Sequence, residues 1–331
     1  MRKLMMILIA MLLVFSVLAG CSPSNESDQT PTSTSTIAET PDSTGEITEP
    51  DSALPQPYPV TVTDMKDRVI ALDAPVERVI ALTAANAEIV YALGAGDLMV
   101  GRGEYCDYPA EVFDVETIGS GANTNIEQII ALDPDVIFMD TMAQTIEQNE
   151  QIEQAGIAAV VTEASDISGT YESILLIGTV LGKDAEAQAL VDGMKAAFAD
   201  IAENQVSGTI YFEVSPLEYG LWTAGKGTFM DEVAVSMGLT NVFGDVEGWA
   251  EISEEQVLER NPDYIVTVGM YFGDGLRPDE EIYARPAWQG ISAVANNGVI
   301  NIDDNSLARP GPRLADGAKQ LHNFVKAAVG E

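Results

Sequence analysis

The 331-residue chain contains very little histidine, cysteine or positive charge. One histidine, His322, and two cysteines exclude a His-rich or Cys-rich metal site and a framework of several disulfides. Lys and Arg number 16 against 52 Asp and Glu, and the formal net charge of −36 makes contact with nucleic-acid phosphates unfavourable. Because 46% of the residues are hydrophobic, disorder throughout is excluded as well.

Residues 1–21 have the features of an export signal. Two basic residues precede an apolar run over 5–19, which is shorter than a comfortable membrane span and typical of a signal-peptide core. The segment ends on Leu-Ala-Gly-Cys and resembles a bacterial lipobox, in which cleavage leaves a lipid on the cysteine, here Cys21. We therefore expect a lipoprotein held at the outer face of the bacterial cytoplasmic membrane; an uncleaved membrane anchor is the alternative.

Residues 22–56 are predicted to be a solvated, disordered tether. Ser, Thr, Pro, Glu and Asp dominate this segment, which has seven acidic residues and no basic one. A flexible coil of this length spans on the order of 30–35 Å. The function must therefore reside in residues 57–331, where Cys106 is the one cysteine and an intrachain disulfide is excluded.

The remaining chain alternates β-rich runs with helical patterns, which predicts α/β lobes with parallel sheets and right-handed crossovers. Predicted strands cover 76–82, 98–100, 135–139 and 157–161, and predicted helices cover 84–94, 146–155, 229–237 and 313–328.

Part of the first half recurs in the second half. Glu-Gln-Ile-Ile-x-x-x-Pro-Asp-x-Ile from Glu127 matches Glu-Gln-Val-Leu-x-x-x-Pro-Asp-x-Ile from Glu255 at an offset of 128 residues. Two related lobes explain the match; a common helix–Pro-Asp–strand junction is the alternative.

A helical segment separates the two halves. Residues 171–204 are almost wholly helix-forming, and the apolar stripe over 184–202 predicts a helix on the order of 30 Å long. We predict an N-terminal lobe over 57–182, an interlobe helix over 183–204 and a C-terminal lobe over 205–331. A ligand cleft is expected between the lobes, and a single helical connection predicts a stiff hinge.

Enzyme motifs are weak. The lone histidine lies on the C-terminal helical pattern, where we expect it at the surface rather than beside a nucleophile. Gly220-x-x-x-x-Gly225-Lys226 approaches a phosphate-binding loop, but Gly227 stands where that motif needs Ser or Thr. We therefore predict that the chain is not an enzyme.

Four segments resemble the substrate-binding proteins of bacterial ABC importers, in the class whose lobes are joined by a helical backbone and whose ligands are vitamin B12, iron–siderophores or haem. They are Arg78-Val-Ile-Ala-Leu-Thr-Ala-Ala-Asn-Ala-Glu88, Tyr105-Cys-Asp-Tyr-Pro109, Ile126-Glu-Gln-Ile-Ile-Ala-Leu-Asp-Pro-Asp135 and Ala308-Arg-Pro-Gly-Pro-Arg313. The resemblance covers 57–331 and implies a dimeric permease with ATPase subunits as partner. We expect a monomer without a resident cofactor or directly bound metal. A ligand-sensing surface lipoprotein without a transporter is the alternative.

Aromatic residues at predicted loop positions favour ligand contact in both lobes. They are Tyr105, Tyr108, Trp222 and Trp249. Flat amphipathic side chains suit a wide planar macrocycle, although ordinary packing is an alternative for each of them. We place Trp288 outside the cleft.

The resemblance aligns several of these positions with the cleft of cobalamin-binding members. Tyr105, Trp249 and Arg309 match residues that line that cleft, and Asn305 lies on the same approach to Arg309. Two further tryptophans of those proteins correspond here to Gly121 and Met139.

The balance of charge ranks the candidate ligands. A trianionic siderophore complex needs several converging cations, and near the predicted cleft the sequence offers Arg102, Lys226, Arg277 and Arg309. We rank a cobalt corrinoid first and a ferric siderophore second. Haem ranks third, with Tyr105 or Tyr108 as a candidate iron ligand.

Glu127 and Glu255 occupy the same position of the two repeat copies. In the resembled family, glutamates at these positions pair with arginines of the permease, which predicts a docking role for both. A favourable contact with the helix dipole is the alternative for either carboxylate.

Overall fold

A computed structural model describes residues 58–119, 124–140, 146–269, 275–302 and 305–330. The predicted signal segment with Cys21, the predicted tether and Gly121 lie outside the described residues. Among the residues that are described, no helix is long and apolar enough to cross a membrane.

The first lobe is built on a five-stranded parallel sheet in the order β5-β4-β3-β6-β7, and β1 and β2 form a separate antiparallel pair. The elements are β1 (Val60–Thr63), β2 (Val69–Leu72), β3 (Val79–Ala81), α1 (Ala84–Ala92), β4 (Met99–Gly103), β5 (Thr117–Ile118), α2 (Ile126–Ala131), β6 (Val136–Met139), α3 (Ile146–Gln154), β7 (Ala158–Val161) and α4 (Ile167–Val180).

The second lobe has a four-stranded parallel sheet in the order β10-β8-β12-β13 and a small antiparallel ribbon of β9 and β11. The elements from the connecting helix onward are α5 (Asp184–Glu203), β8 (Thr209–Glu213), β9 (Leu221–Ala224), α6 (Phe229–Ser236), β10 (Thr240–Asn241), β11 (Trp249–Ile252), α7 (Glu254–Arg260), β12 (Tyr264–Thr267), α8 (Pro278–Ala284), α9 (Ser292–Ala295), β13 (Val299–Asn301) and α10 (Leu314–Val329). The predicted fold class, two parallel-sheet α/β lobes joined by a long helix, is confirmed.

Helix α5 joins the lobes through an apolar stripe. The buried side chains recur every three or four residues: Ala187, Val191, Met194, Phe198 and Ile201. They belong to one hydrophobic core that also contains residues of both sheets. Because this core is continuous across α5, it gives no break that would mark where one lobe ends and the next begins. The predicted lobe boundaries therefore remain predictions.

The helical stretch expected over 171–204 is divided into two helices. Gly182 adopts a φ of +65°, a left-handed conformation that ends α4 without the steric strain a Cβ would bring. Helix α5 begins two residues later, and α4 packs along it.

The repeated Pro-Asp sequence has the same structural role in both lobes. One carboxylate oxygen of Asp135 accepts the backbone N–H groups of Glu77 and Arg78, both at 2.8 Å. One oxygen of Asp263 accepts the backbone N–H and the hydroxyl of Thr209, both at 2.9 Å. Each aspartate thus ties the start of its own strand to the first strand of its sheet.

The prediction of a surface histidine was wrong. His322 lies on α10 and is only 6% exposed, because α10 packs against α5. Its Nε2 lies 2.6 Å from the carbonyl oxygen of Asn204, at the end of α5.

Candidate functional site

A cavity of about 380 Å³ lies between the lobes. The first lobe contributes residues 83–86, 140 and 162–164, which follow β3, β6 and β7. The second lobe contributes Phe229, Trp249 and residues 308–310. In the first sheet, β4 and β5 lie on one side of β3, and β6 and β7 lie on the other. The strand order therefore reverses direction beside β3, and the cavity lies at this switch point. Ligands of open α/β sheets bind at such points.

The second-lobe wall of the cavity is aromatic. The rings of Phe229 and Trp249 meet edge to face, with centroids 5.5 Å apart. Trp249 keeps 41% of its surface exposed, so a flat indole remains available to a ligand.

The two candidate tryptophans lie on strands rather than in the predicted loops. Each strand of the ribbon is only four residues long, too short for a clear period in the sequence. Trp222 pairs with Glu251 and Trp249 with Ala224, which puts both indoles on one face of the ribbon. Of the pair, Trp249 lines the described part of the cavity.

Arg309 reaches from the second lobe to two acidic residues of the first. Its Nη1 lies 2.5 Å from Asp107 Oδ1 and 3.2 Å from Glu88 Oε1, and its Nη2 lies 2.9 Å from Asp107 Oδ2. Burial acts to lower the pKa of Arg309, but the hydrogen bonds and charges of Asp107 and Glu88 raise it above the usual range. The cleft arginine is therefore charged and already compensated by carboxylates.

Two further residues extend this interlobe network. Asn305 donates from Nδ2 to Asp107 Oδ2 at 3.1 Å. Arg313 donates to both carboxylate oxygens of Glu88, at 2.8 and 2.9 Å. Glu88 is 3% exposed, so these charged hydrogen bonds hold the lobes together in a largely water-free setting.

The Tyr105–Tyr108 loop borders the same network. Tyr105 is 67% exposed, and its backbone carbonyl accepts a hydrogen bond from Arg309 Nη2 at 3.2 Å. The guanidinium of Arg313 stacks over Tyr108, with its Cζ atom 3.9 Å from the centroid of the tyrosine ring. Cys106, between them, is buried, and burial raises the pKa of its thiol to about 11, so the sulfur stays protonated.

Comparison with known proteins identifies the family. Residues 79–306 match the family described as "Periplasmic binding protein". The chain belongs to this family. The uncharacterized ABC transporter substrate-binding lipoprotein YvrC of Bacillus subtilis is 32% identical to this binding protein, over 81% of this chain and 86% of YvrC.

Two solved structures share the fold of this binding protein. The periplasmic vitamin B12-binding protein BtuF of Vibrio cholerae has a TM-score of 0.65 at 27% identity, over 78% of this chain and 99% of that one. An ABC-type Fe³⁺-hydroxamate transport protein of Saccharomonospora viridis has a TM-score of 0.67 at 25% identity, over 81% and 99%.

The other nominated cations of the binding protein do not converge on the cavity. Arg102 is buried and donates to the carbonyl oxygen of Cys106 at 3.0 Å. Lys226 and Arg277 each lie within 3.2 Å of a carboxylate oxygen. Of these cations, Arg309 alone lines the cavity over the described ranges, and there no group of acidic, His or Cys residues is placed to hold a metal ion.

The lining residues that sequence reasoning missed include Asn86, Thr162 and Phe229. Asn86 had a detectable signal, since it is a polar residue in an Ala-rich helix start that directly follows a buried strand. The residues next to Thr162 and Phe229 in the sequence form no pattern that would indicate a binding position. Met139, which was expected at the position of a cleft tryptophan, is fully buried at the end of β6.

The two candidate docking glutamates are exposed in the first turns of α2 and α7. Hydrogen bonds from its own backbone N–H and from Ser253 lower the pKa of Glu255, so this carboxylate stays ionised. Both helices run back against their sheets, which puts Glu127 and Glu255 on the side of the strands' carboxyl ends.

Proposed function

We propose that this periplasmic binding protein is the substrate-binding lipoprotein of an ABC transporter, and that it captures a corrinoid of the vitamin B12 type and delivers it to a membrane permease. The observation that carries the proposal is the interlobe cavity, which combines an exposed indole with an arginine whose charge is already balanced by Asp107 and Glu88. A neutral or weakly charged, flat ligand suits such a cavity better than a polyanion.

The names of the relatives support the same proposal. One relative is named an ABC transporter substrate-binding lipoprotein, and a second, with the same fold, is named a vitamin B12-binding protein. We propose Tyr105, Tyr108, Trp222, Trp249, Asn305 and Arg309 as ligand-binding residues.

A ferric siderophore is the second candidate ligand. The likeness to the Fe³⁺-hydroxamate transport protein favours it, whereas the lack of converging cations over the described ranges disfavours a trianionic complex. Haem is the third candidate, supported by the exposed rings of Tyr105 and Tyr108.

The membrane attachment is proposed to be a lipid on Cys21. The thiol is the attachment atom, so Cys21→Ala should leave the full chain unlabelled by radioactive palmitate and absent from the membrane fraction. A labelled, membrane-bound variant would contradict the assignment. We further propose that the binding protein acts as a monomer on a dimeric permease with ATPase subunits.

Calorimetry of the full chain tests the ligand. Cyanocobalamin should bind, and Tyr105→Ala and Trp249→Ala should each weaken binding by about 1–3 kcal/mol, as expected when an anchoring aromatic is truncated. Titration with a ferric hydroxamate tests the second candidate, and the absorption spectrum of protein purified from its native medium distinguishes corrinoid, haem and siderophore.

The matched control for these variants is Phe113→Ala. Phe113 is an exposed first-lobe aromatic outside the cavity lining, so its loss should leave affinity unchanged. Trp288 also lies outside the cavity but is fully buried and donates to Glu254, so its truncation would disturb the core. Absence of heat with cyanocobalamin, or unchanged affinity in both cleft variants, would overturn the proposal.

A further inference from the structure

The floor of the interlobe cavity carries a buried amide with an unpaired nitrogen. Asn86 is 2% exposed and lines the cavity, and its side-chain nitrogen has no hydrogen-bond partner within the described part of the chain. Buried polar atoms without partners are rare, and each costs about 1–3 kcal/mol. Such an atom beside a cavity points to a ligand that pairs with it.

The orientation of this amide is fixed from the opposite side. Thr162, itself 5% exposed, donates its hydroxyl to Asn86 Oδ1 at 2.7 Å. With its oxygen engaged, the amide presents its N–H₂ group as donor. In this orientation, the ligand atom that meets Asn86 Nδ2 is a hydrogen-bond acceptor.

The first turn of α1 adds donors of the same kind. Thr83 caps this nine-residue helix by accepting the N–H of Asn86 at 3.3 Å. The N–H groups of Ala84 and Ala85 have no acceptor within the helix, because the first N–H groups of any helix lack one. All four residues line the cavity, so the backbone donors and the Asn86 amide share one wall.

The surrounding charges favour a neutral acceptor over an anion. Asp140 and Glu163 line the same cavity, and Glu163 is held by Lys66 at 2.6 Å. Arg309 is engaged by carboxylates of the first lobe. A ligand carboxylate would meet like charges here, whereas a carboxamide offers a carbonyl oxygen to Asn86 and N–H groups that carboxylates accept.

We propose that Asn86, Thr162 and the first turn of α1 form a carboxamide subsite that receives a neutral amide side chain of the ligand and rejects the corresponding carboxylate. The proposal rests on the proposed corrinoid function, since the rim of a corrinoid such as cobalamin carries several carboxamide side chains. Under this proposal, Asn86 determines whether the protein binds a carboxamide or a carboxylate at one position of that rim.

The experiment compares cyanocobalamin with its monocarboxylic acid derivatives, in each of which one peripheral carboxamide is a carboxylate. The full-length protein should bind at least one of these isomers about tenfold or more weakly than cyanocobalamin, the range expected when a buried hydrogen bond is lost. Asn86→Ala should weaken cyanocobalamin binding about fivefold to hundredfold and reduce the discrimination against that isomer to less than about threefold.

Two further variants make the result specific. Thr162→Val keeps the shape of the side chain but removes the hydroxyl that orients Asn86. It should therefore weaken cyanocobalamin binding and the discrimination in the same direction as Asn86→Ala, but by less. This variant tests the subsite if Asn86→Ala does not fold. Asn149→Ala removes a helix asparagine of the first lobe whose side-chain oxygen also has no partner among the described residues, but which does not line the cavity. This variant should bind like the unaltered protein.

The outcomes separate the subsite from the function. If the unaltered protein binds cyanocobalamin but Asn86→Ala binds all derivatives as the unaltered protein does, or loses them equally, the subsite is wrong and the function stands. If the unaltered protein does not bind cyanocobalamin, both are overturned.

Discussion

The two lobes each have a cavity at the switch point of their sheets, but the polar groups at the two floors differ. In the first lobe the floor presents Asn86, whose side-chain nitrogen is unpaired over the described residues. In the second lobe a cavity of about 750 Å³ follows β8 and β12, and its floor holds Glu213, which is 2% exposed. Both nitrogens of the Arg285 fork donate to this carboxylate, at 2.7 and 2.8 Å.

The difference indicates a division of roles between the lobes. Arg285 is also hydrogen-bonded to Glu281 and lies over the ring of Trp288, 4.2 Å from its centroid. The buried carboxylate on the floor of the second-lobe cavity is therefore paired with an arginine of the protein itself. The interlobe cavity instead keeps the Asn86 donor, which we propose for a ligand.

The largest expected effect is on the free energy of unfolding, when the arginine partner of a buried carboxylate is removed from each lobe in turn. Arg285→Met should lower the free energy of unfolding by about 3–5 kcal/mol, because Glu213 would be left buried without its partner. Arg68→Met in the first lobe should cost about 1–2 kcal/mol, because its partner Asp64 keeps backbone donors. Urea denaturation of both variants measures the two values, and equal losses would remove the distinction.

The first-lobe acid is held mainly by the backbone. Asp64 is 4% exposed and accepts the N–H groups of Lys66 and Arg68 at 2.9 Å and of Val161 at 3.1 Å. Burial acts to raise the pKa of Asp64, but these hydrogen bonds and the Arg68 side chain lower it below the usual value. Burial raises the pKa of Glu213 instead, with Arg285 opposing it.

The two lobes should consequently respond to pH with opposite signs. The contribution of Asp64 is present above its ordinary pKa of 3.8 and is lost as the pH falls through the lowered value of the folded state. The contribution of Glu213 is complete below its ordinary pKa of 4.5 and is lost as the pH rises through its raised value.

Asp64→Asn should therefore reduce stability by about 1.5–3 kcal/mol at neutral pH and flatten the loss of stability in acid. Thermal unfolding between about pH 2 and 7 measures this slope, because the contribution of Asp64 is lost below its ordinary pKa. Glu213→Gln is the comparison variant and should remove a slope of the opposite sign. An unchanged acid slope in Asp64→Asn would contradict the assignment.

Local patterns were sufficient to predict the fold, because strand–helix alternation and the Pro-Asp repeat are each encoded within a dozen residues. The site depends on longer-range contacts. Arg309 meets Asp107 across 202 positions of sequence, so its compensation by that carboxylate has no local signal. The surface prediction for His322 failed for the same reason, since the packing of α10 on α5 is a tertiary contact.

The aromatic candidates illustrate an intermediate case. Composition and resemblance were enough to select Trp249, which lines the cavity. The strand that carries it is recognisable only from its pairing with β9, because four residues of β11 give no readable alternation.

The proposed docking role of the repeat predicts equal contributions from both lobes. Glu127→Ala together with Glu255→Ala should leave ligand affinity unchanged and lower ligand-dependent transport in a reconstituted system about tenfold, or about 1.4 kcal/mol, because rim charges act on encounter and orientation. Each single variant should give about half of that loss in free energy if the lobes dock equivalently.

The matched control for docking removes two carboxylates from the connecting helix. Glu186 and Glu203 are exposed near opposite ends of α5. Their double alanine variant changes the net charge by the same amount. If it lowers transport as much as the repeat variant does, bulk charge is responsible and the docking assignment fails.

The smallest effect concerns the glutamine that both repeat copies share. Asn125 and Ser253 cap α2 and α7 by accepting the N–H of Gln128 and Gln256, so removal of either cap should cost about 1 kcal/mol.

The two glutamine side chains act differently. Gln256 Oε1 accepts the backbone N–H of Ser253 at 2.9 Å and completes a capping box, whereas Gln128 Nε2 donates to the carbonyl oxygen of Thr117, on β5, at 3.1 Å. Gln256→Ala should therefore increase hydrogen exchange only in the first turn of α7. Gln128→Ala should increase it at the edge strand β5, by an amount that corresponds to about 0.5–1.5 kcal/mol. If Gln128→Ala increases hydrogen exchange only in α2, the glutamine has the same local role in both repeat copies and this prediction fails.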